Sequence, residues 1–341
     1  MKRLIRLLAV ALCVSSTAFA GAADPRADFL KLIQRPRVRL APQVEELPTT
    51  NGIIQFHFSF ASDAEQRVPG ILMKAESSRG RRPTVIALHG TGGSKQNMLL
   101  LCRRLATNGF VAVAIDGRYH GERTKRGSGA EEYNDAIART WRNGREHPFY
   151  YDTVWDVTRL VDYLKTLKDV DAKRIGLIGI SKGGIETYLA AAVDKRIAVA
   201  VPVIGVQSFR WALQNDQWQG RIKTVQNAFD AVAADAGVTN ASREFVQKFY
   251  DRLVPGIYGE FDGPAMLRVI APRPLLVINS DSDPNTPLPG VNEAAAAAEQ
   301  AYQQAGAENR FRLRIQEKTS HQVRPESERA AIEWFVRWLK P

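Results

Sequence analysis

The stretch Gly179-Ile180-Ser181-Lys182-Gly183 constrains this chain more than any other. An apolar run over residues 175–180 precedes it and reads as a buried strand, and residues 185–193 follow with helical character. A G-x-S-x-G pentapeptide between a strand and a helix is a nucleophile elbow. The turn is so tight that the serine backbone is strained, and side chains two residues either side would collide with it. Glycine at 179 and 183 removes both collisions. The serine hydroxyl is then presented at the C-terminal edge of a sheet, above the positive end of a helix. A serine that merely caps a helix after a buried strand would produce part of this pattern, so the remaining segments decide between the two.

Those segments alternate. Residues 54–60 interleave apolar and polar positions, which predicts a half-buried strand with His57 on its solvent side, and residues 68–75 supply its hairpin partner. Residues 84–88 and 110–115 are apolar runs too continuous for solvent-facing strands, with a helix expected over 96–107. Val154, Val157, Leu160, Val161, Leu164 and Leu167 share one face of a helix over 151–167. Further strands are expected at 198–204, 274–278 and 311–315, with helices at 291–305 and 330–339. This order predicts an α/β fold: a mostly parallel, doubly wound sheet with helices on both faces.

Two stretches depart from the rhythm. Residues 24–48 read as an irregular arm with one short helix near 29–34, and residues 124–148 as a polar loop carrying Trp141 and His147. Residues 207–267 form an aromatic-rich, largely helical insertion, suited to packing and to capping a site. The expected organisation is a single domain over residues 21–341, with an arm over 21–50 and that cap insertion.

Residues 1–20 stand apart. Lys2, Arg3 and Arg6 precede a short apolar stretch, and Ala18-Phe19-Ala20 offers small residues for cleavage, which reads as a secretory signal peptide and a periplasmic or secreted protein. The apolar run is shorter than the roughly 20 residues a membrane anchor needs. Cleavage would remove Cys13, leaving Cys102 alone, and would remove three positive charges, taking the net charge of +11 to +8. The excess charge is scattered rather than gathered on one element, which argues against a nucleic-acid partner. The sequence sets no oligomeric state.

A serine hydroxyl is a weak nucleophile and needs a general base, which in turn needs a partner to fix its tautomer. Of the five histidines, only His321 follows a strand beyond the acidic loop Asn279-Ser-Asp-Ser-Asp-Pro-Asn-Thr-Pro287. Within that loop Asp281 and Asp283 compete for the acid role. The alternating Asp281-Ser-Asp283-Pro-Asn285 also suggests a calcium loop, but it lacks glycine at the sixth position, and Asn292 stands where glutamate is needed at the twelfth. His89-Gly90-Thr91-Gly92-Gly93 lacks the lysine of a phosphate-binding loop and reads instead as a source of backbone N–H donors for an oxyanion.

Taken together, the His89 turn, Asp116-Gly-Arg-Tyr-His-Gly-Glu-Arg123, the elbow and the Asp283 and His321 loops resemble the α/β-hydrolase superfamily, in its dienelactone-hydrolase-like and prolyl-oligopeptidase-like esterase branch. The likeness covers roughly residues 50–340. It implies an α/β-hydrolase fold and a serine esterase acting on small or carbohydrate-linked acyl esters, with Ser181, Asp283 and His321 as catalytic residues. Asp283 is preferred because Ser280-x-x-Asp283-x-x-x-Pro287 resembles the family's acid loop. The oxyanion would be held by the backbone N–H groups of Lys182 and Thr91, with no metal or organic cofactor. Three features depart from the relatives: Ser181 stands where true dienelactone hydrolases have cysteine, Lys182 stands where carbohydrate deacetylases have glutamine, and the chain has no room for a propeller. A peptidase or amidase of the same fold, and a non-catalytic binding protein on a hydrolase scaffold, are the alternative readings.

Overall fold

A computed structural model describes residues 24–125, 129–144 and 149–340. The expected signal peptide and His147 lie outside these residues. Among the described residues, nine strands form one sheet: β1 (Gln43–Thr50), β2 (Ile53–Ala61), β3 (Arg67–Ala75), β4 (Arg82–Leu88), β5 (Val111–Ile115), β6 (Val170–Ile180), β7 (Ile197–Val203), β8 (Leu275–Ser280) and β9 (Phe311–Gln316). Their order is β1-β2-β3-β5-β4-β6-β7-β8-β9. The pairs β1–β2, β2–β3 and β3–β5 are antiparallel. The rest, from β5–β4 to β8–β9, are parallel.

The helices are α1 (Arg26–Ile33), α2 (Leu99–Thr107), α3 (Gly129–Asn143), α4 (Tyr151–Leu164), α5 (Lys182–Val193), α6 (Phe209–Gln214), α7 (Gln219–Lys223), α8 (Gln226–Asp235), α9 (Arg243–Leu253), α10 (Gly263–Arg268), α11 (Leu288–Gln304) and α12 (Pro325–Leu339). The central strands are covered on both faces, which is why they read as unbroken apolar runs. Alternate residues serve opposite cores. Ile86, Leu88, Val113 and Ile115 pack with α4 and α5 on one face. Val85, Ala87, Ala112 and Ala114 pack with α2 and α12 on the other. Along α4, Val154, Val157, Leu160, Val161 and Leu164 are all buried, each contributing about 1.5–3 kcal/mol of apolar transfer. That helix ends at Leu164, one turn short of the expected residue 167.

Two expectations are overturned. The arm carries the expected short helix as α1, but it is not irregular beyond it: it continues into β1, an edge strand whose side chains are almost all exposed. Such a strand is held by its hydrogen-bond ladder to β2 and leaves no apolar alternation to read, while Glu45, Glu46 and Pro48 discourage further pairing at that edge. The polar loop over 124–148 contains the fifteen-residue helix α3. It buries Tyr133, Ala136, Ile137 and Thr140 on one face against α8 and α9.

The insertion over 207–267 consists of α6 to α9 and most of α10. Its aromatic side chains pack on one another, with Phe229 edge-on to Phe245 and Phe249 at 5.4 and 5.1 Å, and equally on the rest of the protein, with Phe261 edge-on to Phe29 at 5.0 Å and Phe245 edge-on to Trp141 at 6.0 Å. Among the described residues, no helix is long and apolar enough to cross a membrane.

Candidate active site

β4 and β6 run in parallel register with Leu88 opposite Gly179, and Ile180 lies opposite Val203 of β7. The segments that leave these strands therefore emerge side by side at one edge of the sheet. Ser181 follows β6 with φ +57° and ψ −113°, a region that residues with a side chain rarely adopt. Hydrogen bonds hold it there. Its N–H donates to Val203 O at 2.9 Å, and its carbonyl accepts from Gly184 N–H at 2.9 Å and Ile185 N–H at 3.1 Å. A Cβ on Gly179 would lie 2.1 Å from Gly183 O, and one on Gly183 would lie 2.5 Å from Leu88 O. α5 thus enters between the strand ends too closely for a side chain at either position.

His321, in the loop after β9, reaches back to this serine. Its Nε2 lies 2.7 Å from Ser181 Oγ, and its Nδ1 lies 2.7 Å from Asp283 Oδ2. A carboxylate can only accept, so Nδ1 carries the proton and Nε2 presents a lone pair to the serine. Asp283 is fixed in turn: Oδ1 accepts from Asn285 N–H at 2.8 Å and Oδ2 from the Thr286 hydroxyl at 2.9 Å. Burial pushes the Asp283 carboxyl upward, but the hydrogen bond and charge of His321, with those two donors, outweigh it and hold the group below the usual carboxylate range.

The competing Asp281 faces another task. It accepts from Lys318 N–H at 2.7 Å, Thr319 N–H at 3.1 Å and the Ser282 hydroxyl at 2.9 Å, and these bonds lower its pKa. It fastens the loop after β8 to the loop that carries His321. The insertion also touches the acid loop, since Arg221 Nη2 donates to Asn285 O at 2.9 Å.

Ser181 and His321 line a cavity of about 440 Å³ whose wall includes Gly90, Thr91, Thr224 and Asn285. The glycine turn comes close to the serine: a Cβ on Gly90 would sit 3.4 Å from Ser181 Cβ. Thr91 is therefore at the cavity, and Lys182 is the first residue of α5 directly behind the serine. A larger groove of about 880 Å³ is lined by His57, Tyr119 and Glu122 among others, and includes none of Ser181, Asp283 and His321. His57, expected at the surface, is partly exposed with Nε2 2.9 Å from Glu122 Oε2.

The elbow pattern assigns a role only to the backbone of Lys182. Its side chain is buried, with Nζ 2.5 Å from Glu186 Oε1. The lysine-to-glutamate spacing of four residues on one helix is the signal that could have found this pair. Burial pushes the Glu186 carboxyl up to about 7, against the pull of the Lys182 charge. Cys102 is buried, which drives its thiol up to about 12 and leaves it inert. Among the described residues, no group of three or more His, Cys, Asp or Glu is placed to hold a metal ion.

The comparisons with known proteins point one way. A family model described as acetyl xylan esterase (AXE1) matches residues 33–222. YtaP of Bacillus subtilis (strain 168), assigned as a hydrolase, is 22% identical over 290 residues, which span 81% of this chain and 85% of that one. Acetyl xylan esterase 1 from Thermoanaerobacterium sp. JW/SL YS485 superposes with a TM-score of 0.68 at 15% identity, covering 92% of this chain and 94% of that one. The acetyl xylan esterase from Paenibacillus sp. R4 gives a TM-score of 0.62 at 19% identity, covering 92% of both chains. At such identities the structural likeness speaks for the α/β-hydrolase fold.

Proposed function

The chain belongs to the acetyl xylan esterase family, a family of carboxylic ester hydrolases, and from that premise we propose that Ser181, His321 and Asp283 hydrolyse small acyl esters carried on carbohydrate. One observation supports this reading above all: the His321 ring bridges Ser181 Oγ and Asp283 Oδ2 at 2.7 Å on each side.

Ser181 Oγ attacks the ester carbonyl while its proton passes to His321 Nε2. Asp283 holds the Nδ1–H and stabilises the imidazolium that forms. The tetrahedral oxyanion is held by Thr91 N–H and Lys182 N–H, each such donor being worth about 10²–10³ in rate. The carbon–oxygen bond to the leaving alcohol then breaks, and that alcohol takes the proton from Nε2. Water, deprotonated by the same nitrogen, attacks the acyl carbon; the bond from that carbon to Ser181 Oγ breaks, the acid leaves, and the proton on Nε2 returns to Oγ. Every proton transfer uses one imidazole, so no metal or organic cofactor is needed. The family and the open 440 Å³ cavity favour a small acyl group on a bulky alcohol. Thr224 brings the insertion to the cavity wall, which suits a cap. Export through the leader at residues 1–20 belongs to the same reading.

The test is hydrolysis of p-nitrophenyl acetate and of acetylated xylo-oligosaccharides by the purified protein and by Ser181→Ala. The variant should lose about 10⁵–10⁶ in kcat. Equal rates for the two proteins would refute the assignment.

A further inference from the structure

Two histidines that precede the elbow hold the glycine turn from behind. A peptide unit is planar, so Gly90 O and Thr91 N–H point in opposite directions across one rigid plate. His89 Nδ1 donates to Gly90 O at 2.7 Å, and Gly93 N–H donates to the same oxygen at 3.1 Å. Fixing that oxygen fixes the direction of Thr91 N–H. The next plate carries Thr91 O and Gly92 N–H. Gly92 has φ +74°, and its N–H donates to His120 Nε2 at 3.1 Å. Each plate flanking Thr91 is thus pinned by one imidazole.

The two rings are themselves anchored to a single loop after β5. His89 Nε2 accepts from Gly117 N–H at 2.9 Å. His120 Nδ1 donates to Arg118 O at 2.7 Å. Every one of these bonds requires a proton on Nδ1 and a lone pair on Nε2. Both residues are buried, with exposures of 2% and 0%, and their ring centroids lie 5.0 Å apart. A second proton on either ring would abolish its N–H···N bond and bury an imidazolium.

Lys182 stands guard over that state. A Cβ on Gly117 would meet Lys182 Nζ at 3.1 Å and His89 Nε2 at 3.5 Å, so the ammonium, held by Glu186, lies beside the imidazoles. Burial first, and the Lys182 charge second, hold His89 well below the usual imidazole range and His120 at about 3. The residue whose backbone N–H adjoins Ser181 therefore also carries the charge that disfavours protonation across the turn.

Resting on the reading of Ser181 as nucleophile, we propose that His89 and His120 are positioning residues, neutral Nδ1–H imidazoles that lock the peptide planes on both sides of Thr91 and aim its N–H at the oxyanion. Neither ring reaches the reacting atoms; each acts through the backbone of the turn.

The experiment compares His120→Asn with His120→Gln. Asparagine can still donate to Arg118 O but is too short to accept from Gly92 N–H, whereas glutamine extends an oxygen toward the place of Nε2. Steady-state hydrolysis of p-nitrophenyl acetate is measured per serine titrated with a fluorophosphonate, which removes misfolded protein from the count. His120→Asn should lower kcat by about 10–100-fold, a part of what losing a whole donor costs, with KM within about threefold, and His120→Gln should recover most of the loss. A kcat for His120→Asn within twofold of wild type, or a glutamine variant no better than the asparagine one, would overturn the proposal. In parallel, ¹⁵N spectra of histidine-labelled protein at pH 5 should show two neutral Nδ1–H imidazoles, one lost in His89→Gln and one in His120→Gln. Protonated signals for that pair would also overturn it. The spectra do not depend on hydrolysis, so a failure of the nucleophile reading, seen as an active Ser181→Ala protein, remains distinguishable.

Discussion

Acid should destabilise the wild-type protein relative to His120→Gln by a predictable amount. An imidazole in the unfolded chain titrates near about 6.5, whereas burial holds that of folded His120 at about 3. Between those values the unfolded chain binds a proton that the folded protein refuses. The stability contributed is complete above the unfolded pKa and is lost as pH falls through the window, at about 1.4 kcal/mol per pH unit. At pH 4.5, two units into the window, the loss is about 2.7 kcal/mol. It is insensitive to the folded value as long as that stays below 4.5. For a chain of this length the corresponding shift in midpoint is about 4 °C. Absolute stability is a poor readout, because Glu186 and Asp262 run the other way: burial raises their carboxyls to about 7 and about 6, so the folded state binds their protons first and gains stability as pH falls. The difference between wild type and His120→Gln isolates the imidazole. Urea unfolding of both proteins at pH 7, 6, 5 and 4.5 should show that difference moving by about 2.7 kcal/mol in favour of glutamine. Parallel curves would refute the assignment of His120 as a buried neutral base.

The two aspartates after β8 should separate in kinetics. Asp283→Asn offers His321 a donor in place of an acceptor, favours the wrong tautomer, and should lower kcat on p-nitrophenyl acetate by about 10⁴ with little change in KM. Asp281→Asn loosens the bonds to Lys318, Thr319 and Ser282 and leaves those of Asp283 in place, and its kcat should stay within a few-fold; the reverse ranking would reassign the acid. Among glycines, Gly183→Ala sets a Cβ 2.5 Å from Leu88 O and 2.8 Å from His89 O. Backbone atoms cannot yield cheaply there, so urea unfolding should show a loss at the upper end of about 1–3 kcal/mol. Gly237→Ala, with φ +66° and nothing within 4 Å, should cost about 1–2 kcal/mol from backbone strain alone, with hydrolysis unchanged. Equal activity losses at the two positions would contradict the close packing of the elbow.

Much of the sheet was legible because burial on both faces leaves a one-dimensional trace. Residues 85–88 and 175–180 are apolar without interruption, and both lie in central parallel strands. β1 left no such trace, since an edge strand with exposed side chains is defined by backbone pairing alone. α3 did leave one. Tyr133, Ala136, Ile137 and Thr140 fall at helical spacing, but Glu131, Glu132, Asp135, Arg139 and Arg142 lie among them and lend the segment the composition of a loop.

The chain alone determined the strand-turn-helix around Ser181, because a turn that tight admits only glycine at 179 and 183 and this local steric demand is written in adjacent residues. It also determined that His321 was the one histidine following a strand beyond the acid loop. Only the tertiary structure decided which carboxylate meets it, since Asp281 and Asp283 differ by two positions and their separate duties depend on where the loop after β9 crosses them. The roles of His89 and His120 were likewise invisible. The partners of their Nε2 atoms lie 28 residues away, and a residue's protonation state is set by burial and neighbouring charge, which do not exist until the sheet has brought the two loops together.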